Sequence, residues 1–93
     1  MTEPREEVKW FAEYMERKLE ENDYKGRWDD CSSDYLQCQL TEEYREILTE
    51  INALGFNVFF NKKVTKKQKE ELICECADMA NFALMIADRA RKL

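Results

Sequence analysis

The sequence predicts an all-α fold, and three observations carry that reading. Of its 93 residues, 44% are hydrophobic and 38% charged, with only two Gly and one Pro, the balance of an ordered helical chain rather than a disordered or all-β one. Apolar residues recur at helical spacing in three stretches. Turn formers are gathered in the gaps between those stretches. No internal repeat, low-complexity tract or inter-domain linker interrupts them, so residues 1–93 read as one small domain. A chain this short buries only about 60–65% of its unfolded surface, which leaves a marginal core and makes oligomerisation the natural remedy.

The first helix is expected from about Glu3 to Glu21, started by Thr2, Glu3 and Pro4, with Val8, Phe11, Ala12, Met15 and Leu19 along one face. Trp10 and Tyr14 lie beside that stripe, where they would widen the buried face. The stretch 22–33, NDYKGRWDDCSS, has a Gly, many turn formers and no period, and reads as a connector. Its Lys25, Arg27 and Trp28 offer two cations and a stacking ring. Trp28 either covers the edge of the core or contacts a substrate.

Ser32 or Ser33 caps a second helix that ends at Gly55, with Leu36, Leu40, Tyr44, Ile47, Ile51 and Leu54 on one face. The following GFNVFFNKK is too short to classify by period. It is either a further helical turn or a packed loop around Val58, Phe59 and Phe60. Thr65 with Gln68 three residues on is a capping-box pattern that opens a last helix running close to Leu93.

That last helix carries the segment around which the chain is organised, ICECADMANFALMIA at 73–87. Glu75 and Asp78 are its only charges, and at about 100° per residue they stand about 60° apart, in the sector of Leu72, Met79, Phe82 and Ile86. The acids therefore face inward, and a buried carboxylate is tolerated when it is paired, protonated or coordinating a cation. A Lys or Arg from elsewhere in the chain would satisfy them, as would a metal ion or a position at the helix's wet edge. On the edge of the second helix, Glu43, Glu46 and Glu50 stack like charges, while Glu42 points to the far side and should be solvated.

Net charge −5 and a pI near 4.8 argue against a nucleic-acid polymer as partner, because phosphate binding needs a basic face. The lysines at 62, 63, 66, 67 and 69 read as a solvated connector and helix start, and could equally attract a nucleotide's phosphates. No stretch approaches the roughly 18 apolar residues of a membrane span, and the acidic N-terminus is unlike a signal peptide. A cytoplasmic protein with reduced cysteines is expected. Cys74 and Cys76 point about 160° apart on a helix and the chain has no His, so Cys31, Cys38, Cys74 and Cys76 are expected to pack in the core rather than bind zinc.

Two antiparallel helices, one presenting Glu43 and Glu46 and the other Glu75 and Asp78, would bring four carboxylates to one pocket. Such an all-oxygen set selects Mg²⁺ or Mn²⁺ over zinc or copper. Mg²⁺ held this way meets its remaining ligands on water and substrate phosphates, which points to phosphate-ester or phosphoanhydride chemistry.

The pattern E-E-x-x-E at residues 42–46, followed by E-x-x-D at Glu75 and Asp78, resembles the all-α nucleoside triphosphate pyrophosphohydrolases, the superfamily of MazG, dimeric dUTPases and phosphoribosyl-ATP pyrophosphohydrolases. The strings N-D-x-K-G-x-W at 22–28, C-S-x-x-Y-L at 31–36 and E-C-A-D-x-A-N-F-A-x-M-I-A-D at 75–88 are similar to a small MazG-like subgroup of archaea and phages. The resemblance covers nearly the whole chain. It implies an antiparallel helical bundle completed by a second copy, a homodimer or higher homo-oligomer. It also implies Mg²⁺-dependent cleavage of an NTP or dNTP to the monophosphate and pyrophosphate, as in nucleotide-pool house-cleaning.

Carried over residue by residue, Glu43, Glu46, Glu75 and Asp78 match the metal ligands and Glu42 the peripheral acid. A carboxylate such as Glu46 or Glu43 would orient or deprotonate the attacking water. The chain departs from the family at Tyr44 and Arg45, where a small or aliphatic residue and an acid are common, and Arg45 would change the charge near the site. Phosphate contacts are expected from Lys25, Arg27, Lys63 or Arg89, and base contacts from Trp10, Trp28 or Asn81. The rival reading is a helical dimerisation or metal-binding module that keeps the acids without turning over substrate.

Overall fold

Capping chemistry sets where each helix begins. In the computed structural model, which describes residues 2–22, 28–55 and 63–93, the described residues form helices α1 (Glu6–Glu21), α2 (Ser33–Leu54) and α3 (Lys66–Arg91), with a single 3-10 turn at Trp28–Asp30. Both halves of the Thr65 capping box are made: the Gln68 amide donates to Thr65 Oγ1 at 3.1 Å and the Thr65 amide to Gln68 Oε1 at 2.9 Å. Ser32 opens α2, its hydroxyl accepting from the Tyr35 amide at 3.0 Å, and Gly55 closes it at φ 62°.

The expected start of α1 is corrected. Its N-cap is Arg5, with no side-chain cap, and Arg5 O takes the amides of Val8 and Lys9. Thr2 thus stands too far upstream for its hydroxyl to reach the first free amides. Glu6 and Glu7 instead place negative charge in the first turn, where the helix dipole favours it. Glu3 pairs with Lys9 at 3.2 Å.

The stretches 23–27 and 56–62 hold Lys25, Arg27, Val58, Phe59 and Phe60, so the expectations for those residues lie outside the described residues.

Helix α3 is the one on which α1 and α2 both pack. Between α2 and α3 the partners run in opposite chain order. Cys31, just before α2, takes a hydrogen bond from Arg89, the Asp78 charge acts on Glu43, and the Glu50 charge acts on Glu75. Because α1 and α2 meet α3 from separate sides, only the sector of each that faces α3 leaves water. Phe11, Met15 and Leu19 of α1 are half-buried, as are Leu40, Ile47 and Ile51 of α2. Among the described residues the buried apolar side chains are Leu36, Leu54 and Ala77.

That arrangement overturns several expected core positions. Val8 and Tyr44 are each 51% exposed, Ile86 is exposed, and so is Ala12. Ala77, on the side of α3 opposite the acids, is enclosed by the chain itself at 0% exposure, whereas Leu84 on the same side remains exposed. All four cysteines are free. Cys31, Cys74 and Cys76 are half-buried, and Cys38 is exposed rather than packed. Among the described residues no helix is long and apolar enough to cross a membrane.

Gly55 combines φ 62° with ψ −141°, a region open essentially to glycine alone. A Cβ there meets nothing within 4 Å, so backbone strain is the whole cost of adding one. Gly55→Ala is expected to destabilise the chain by about 1–3 kcal/mol, read as a lower midpoint in urea with an unchanged slope.

Candidate functional site

Since α1 and α2 stand on α3 from two sides, the space between them is a groove, a cavity of about 560 Å³. Asp78, Asn81, Phe82 and Met85 of α3 form its floor; Lys18, Leu19 and Glu21 of α1 and Tyr35, Gln39 and Glu43 of α2 line its sides, and Trp28 and Cys31 join at the end nearer the C-terminus of α3. The volume falls in the range of small-ligand sites. The groove is acidic at the Glu43 and Asp78 end and aromatic at the other.

Glu43 feels the most pressure. Burial, and then the carboxylates of Glu46, Asp78 and Glu75, push its carboxyl up from 4.5 to about 7. Glu75 is raised by burial and by Glu50, Glu46, Glu71 and Asp78. Asp78 is raised by burial against the opposing pull of Lys18, with Glu21 and Glu46 adding to the rise. Among the described residues, Glu43 Oε2 and Glu75 Oε2 are buried without a hydrogen-bond partner. Glu46 itself is exposed, though its charge is felt by the other three.

The structure does bring a basic residue to this set, from an element the acids' own segment did not reveal. Lys18 Nζ stands 2.9 Å from Glu21 Oε2 and 3.8 Å from Asp78 Oδ2. The second distance is an ion pair without a hydrogen bond. Glu21 is the main cause that raises the Lys18 ammonium, ahead of Asp78 and against burial. Among the described residues, Asp78 is therefore partly neutralised, and no cation is paired with Glu43 or Glu75. Among the described residues no three acidic or thiol groups stand close enough to hold a metal ion. Within the set, Glu46 lies close enough to Glu43 for their carboxyls to share a hydrogen bond, and Asp78 is drawn toward Lys18.

Other expected residues fall in different places. Glu42 is solvated and pairs with Arg45 at 3.5 Å, both side chains more than half exposed, so Arg45 sends its charge to the outer face of α2. Trp10 packs edge-on to Tyr14, ring centres 5.2 Å apart, and against Phe11 at 6.2 Å; it is not among the residues that line the groove. Arg89 donates to the Cys31 carbonyl and also lies outside the lining. Lys63 is exposed ahead of α3.

Trp28 and Asn81 do line the groove. Asn81 is 4% exposed, and its Nδ2 donates to the Met15 carbonyl of α1 at 3.0 Å. Because that carbonyl can only accept, the amide orientation is fixed by chemistry. Its Oδ1 is then a buried acceptor with no partner among the described residues. Lys18, Tyr35 and Gln39 were not singled out by sequence. Lys18 carries the only usable signal, since it follows Met15 by three residues on the flank of the apolar stripe of α1.

Glu43, Glu75 and Asp78 all carry raised carboxyls. The folded chain therefore holds these protons more tightly than the unfolded chain, and stability is lost as pH rises from about 4.5 through about 7. In chelator, the melting temperature should fall over that window, and Glu43→Gln should flatten the fall. An unchanged slope in the variant would show that Glu43 is not the group responsible. Comparison of the chain with protein-family models, with curated proteins and with solved structures found no match in any of the three.

Proposed function

We propose that the chain is a Mg²⁺-dependent nucleoside triphosphate pyrophosphohydrolase that takes an NTP or dNTP to the monophosphate and pyrophosphate. The observation that carries this reading is the pair of buried oxygens on Glu43 and Glu75 that have no hydrogen-bond partner among the described residues, set in a repelling cluster beside a groove of small-ligand size. Buried acceptors without donors are costly. Their oxygen-only chemistry suits Mg²⁺ or Mn²⁺, and Glu43, Glu46, Glu75 and Asp78 are the residues that would draw together to hold it, since they do not stand close enough as they are. When bound, the metal neutralises phosphate charge and lowers the pKa of a water.

The chain's own groups supply the rest. The ammonium of Lys18, already at the groove beside Asp78, is placed to take phosphate oxygens. Asn81 Oδ1 can accept from a base N–H or a sugar hydroxyl, and Trp28 offers a ring for stacking.

The substrate-bearing form is proposed to be a homodimer. One chain exposes 7446 Å², against about 5,700 Å² for a compact chain of this size. Its radius of gyration is 14.9 Å where about 12 Å is usual. The excess on one chain is about twice the roughly 800 Å² that each partner gives to a standard interface, the scale of an obligate homodimer. Tyr44, Leu48 and Leu84, all exposed, supply apolar surface for it.

A panel of natural and modified NTPs and dNTPs, assayed with Mg²⁺ or Mn²⁺, should yield monophosphate and pyrophosphate from at least one. Turnover of none would favour the dimerisation or metal-binding module instead. Glu75→Gln should cut any such activity by at least about 100-fold and abolish the rise in melting temperature given by Mg²⁺, which scales as ln(1 + [Mg²⁺]/Kd). In chelator it should melt at the parent's temperature or above, because a repelling charge is gone. Glu16→Gln, on an exposed position, serves as the unaffected control.

Light scattering should give twice the chain mass at micromolar concentration. A stable monomer there would remove the dimer.

A further inference from the structure

The last turn of α3 contains a charge at the wrong end of a helix. A carboxylate near a helix C-terminus is opposed by the dipole, yet Asp88 stands three residues from the end of α3 and is 6% exposed. Three donors meet it. Trp28 Nε1 gives a hydrogen bond to Oδ2 at 2.9 Å, Lys92 Nζ contacts the same oxygen at 2.9 Å, and Arg91 Nε donates to Oδ1 at 2.7 Å. Together they hold its carboxyl well below the usual carboxylate range, with Lys92 the largest cause.

The two cations do not explain the position. Both are surface side chains, 78% and 49% exposed, for which water is an adequate partner. Trp28 is the partner that matters to the groove. Trp28 lines the cavity while its N–H is bound to Asp88 of α3. Two further contacts hold the same turn. Lys92 Nζ reaches Asp29 Oδ1 at 3.0 Å, and Arg89 donates to the Cys31 carbonyl.

Helix α3 thus carries both ends of the site. Asp78 and Asn81 stand in the floor, and Asp88, about three turns beyond Asp78, grips the aromatic end.

We propose that Asp88 is a positioning residue that fixes the indole of Trp28 as the stacking wall of the groove, at a set distance along α3 from the phosphate end. This rests on the reading of the groove as a nucleotide site. Asp88 acts through the Trp28 N–H and touches no reacting atom. Loosening it should therefore weaken substrate binding and leave the chemical step alone.

The experiment is a double-mutant cycle on kinetics with the best nucleotide of the panel and Mg²⁺, joined to tryptophan emission in a Trp10→Phe background that serves as reference throughout. Asp88→Ala should shift Trp28 emission to the red, raise its quenching by acrylamide, and raise KM roughly tenfold, the scale of one base stack partly lost, with kcat within about twofold. Asp88→Asn keeps one acceptor oxygen for the indole N–H and should fall between the two, which also covers the case of an Ala variant that folds poorly.

In a chain carrying Trp28→Phe, which has no N–H, adding Asp88→Ala should raise KM no further. Additive effects of the two changes on KM, or a fall in kcat alone, would overturn the proposal. So would emission that does not respond to Asp88→Ala.

If the parent binds and turns over no nucleotide, the proposed function fails and the stacking wall fails with it. The emission data, which need no nucleotide, then show whether the Asp88 to Trp28 contact itself exists. If turnover stands and only the KM cycle fails, the failure belongs to Asp88.

Discussion

The repulsion among Glu43, Glu46, Glu75 and Asp78 is the interaction on which the rest of the arrangement depends. Hydrophobic burial drives α1 and α2 onto α3, but α3 brings two acids into that contact and α2 brings more. Each carboxylate prefers water, and their neighbours' charges add to the preference. The chain meets this with limited means. Asp78 shares Lys18 with Glu21, and Glu43, hydrogen-bonded to Glu46, is held toward its protonated form. What is left is a local demand for positive charge that the described residues do not meet in full.

The groove follows from the same geometry. Had α1 and α2 closed on each other, the floor of α3 would have been covered and Asn81 would sit in a sealed core. Because each instead packs on α3, Asn81 spans from α3 to the Met15 carbonyl while keeping one acceptor free. Polar contacts of this kind fix relative position where apolar contact is thin. The links from Asn81 to α1, from Trp28 to Asp88 and from Arg89 to Cys31 set the shape of the cavity more tightly than the few enclosed apolar side chains can.

The caps of α2 and α3 and the wheel position of the acids are legible in the sequence because their causes are local, whereas the start of α1, which has no side-chain cap, is not. The Thr65 capping box, the Ser32 cap and Gly55 act within one turn, so spacing alone reveals them. The wheel position of Glu75 and Asp78 likewise follows from chain order. Lys18 was not legible, since its meeting with Asp78 depends on how α1 lies across α3, a tertiary fact. Asp88 was overlooked for a related reason. Beside Arg89, Arg91 and Lys92 it reads as one more charge in a solvated helix end, and only the fold brings the indole of Trp28 to it. The exposure of Val8 and Tyr44 has the opposite origin: a helical stripe marks a face that can be buried, and the number of neighbours decides how much of it is.

The slab-like outline, 45 × 34 × 22 Å, bears on how such a sequence can drift. Within one chain, few apolar positions are so enclosed that a change of size would be refused. Most aliphatic residues stand at boundaries where a larger or smaller side chain can be absorbed by water. Mutational intolerance should therefore fall unevenly, sparing much of the hydrophobic pattern and concentrating on a sparse polar set, Asn81 and Asp88 among them. In a fold of this kind the evolutionary memory is written in hydrogen bonds and charges, and the oily positions are free to wander.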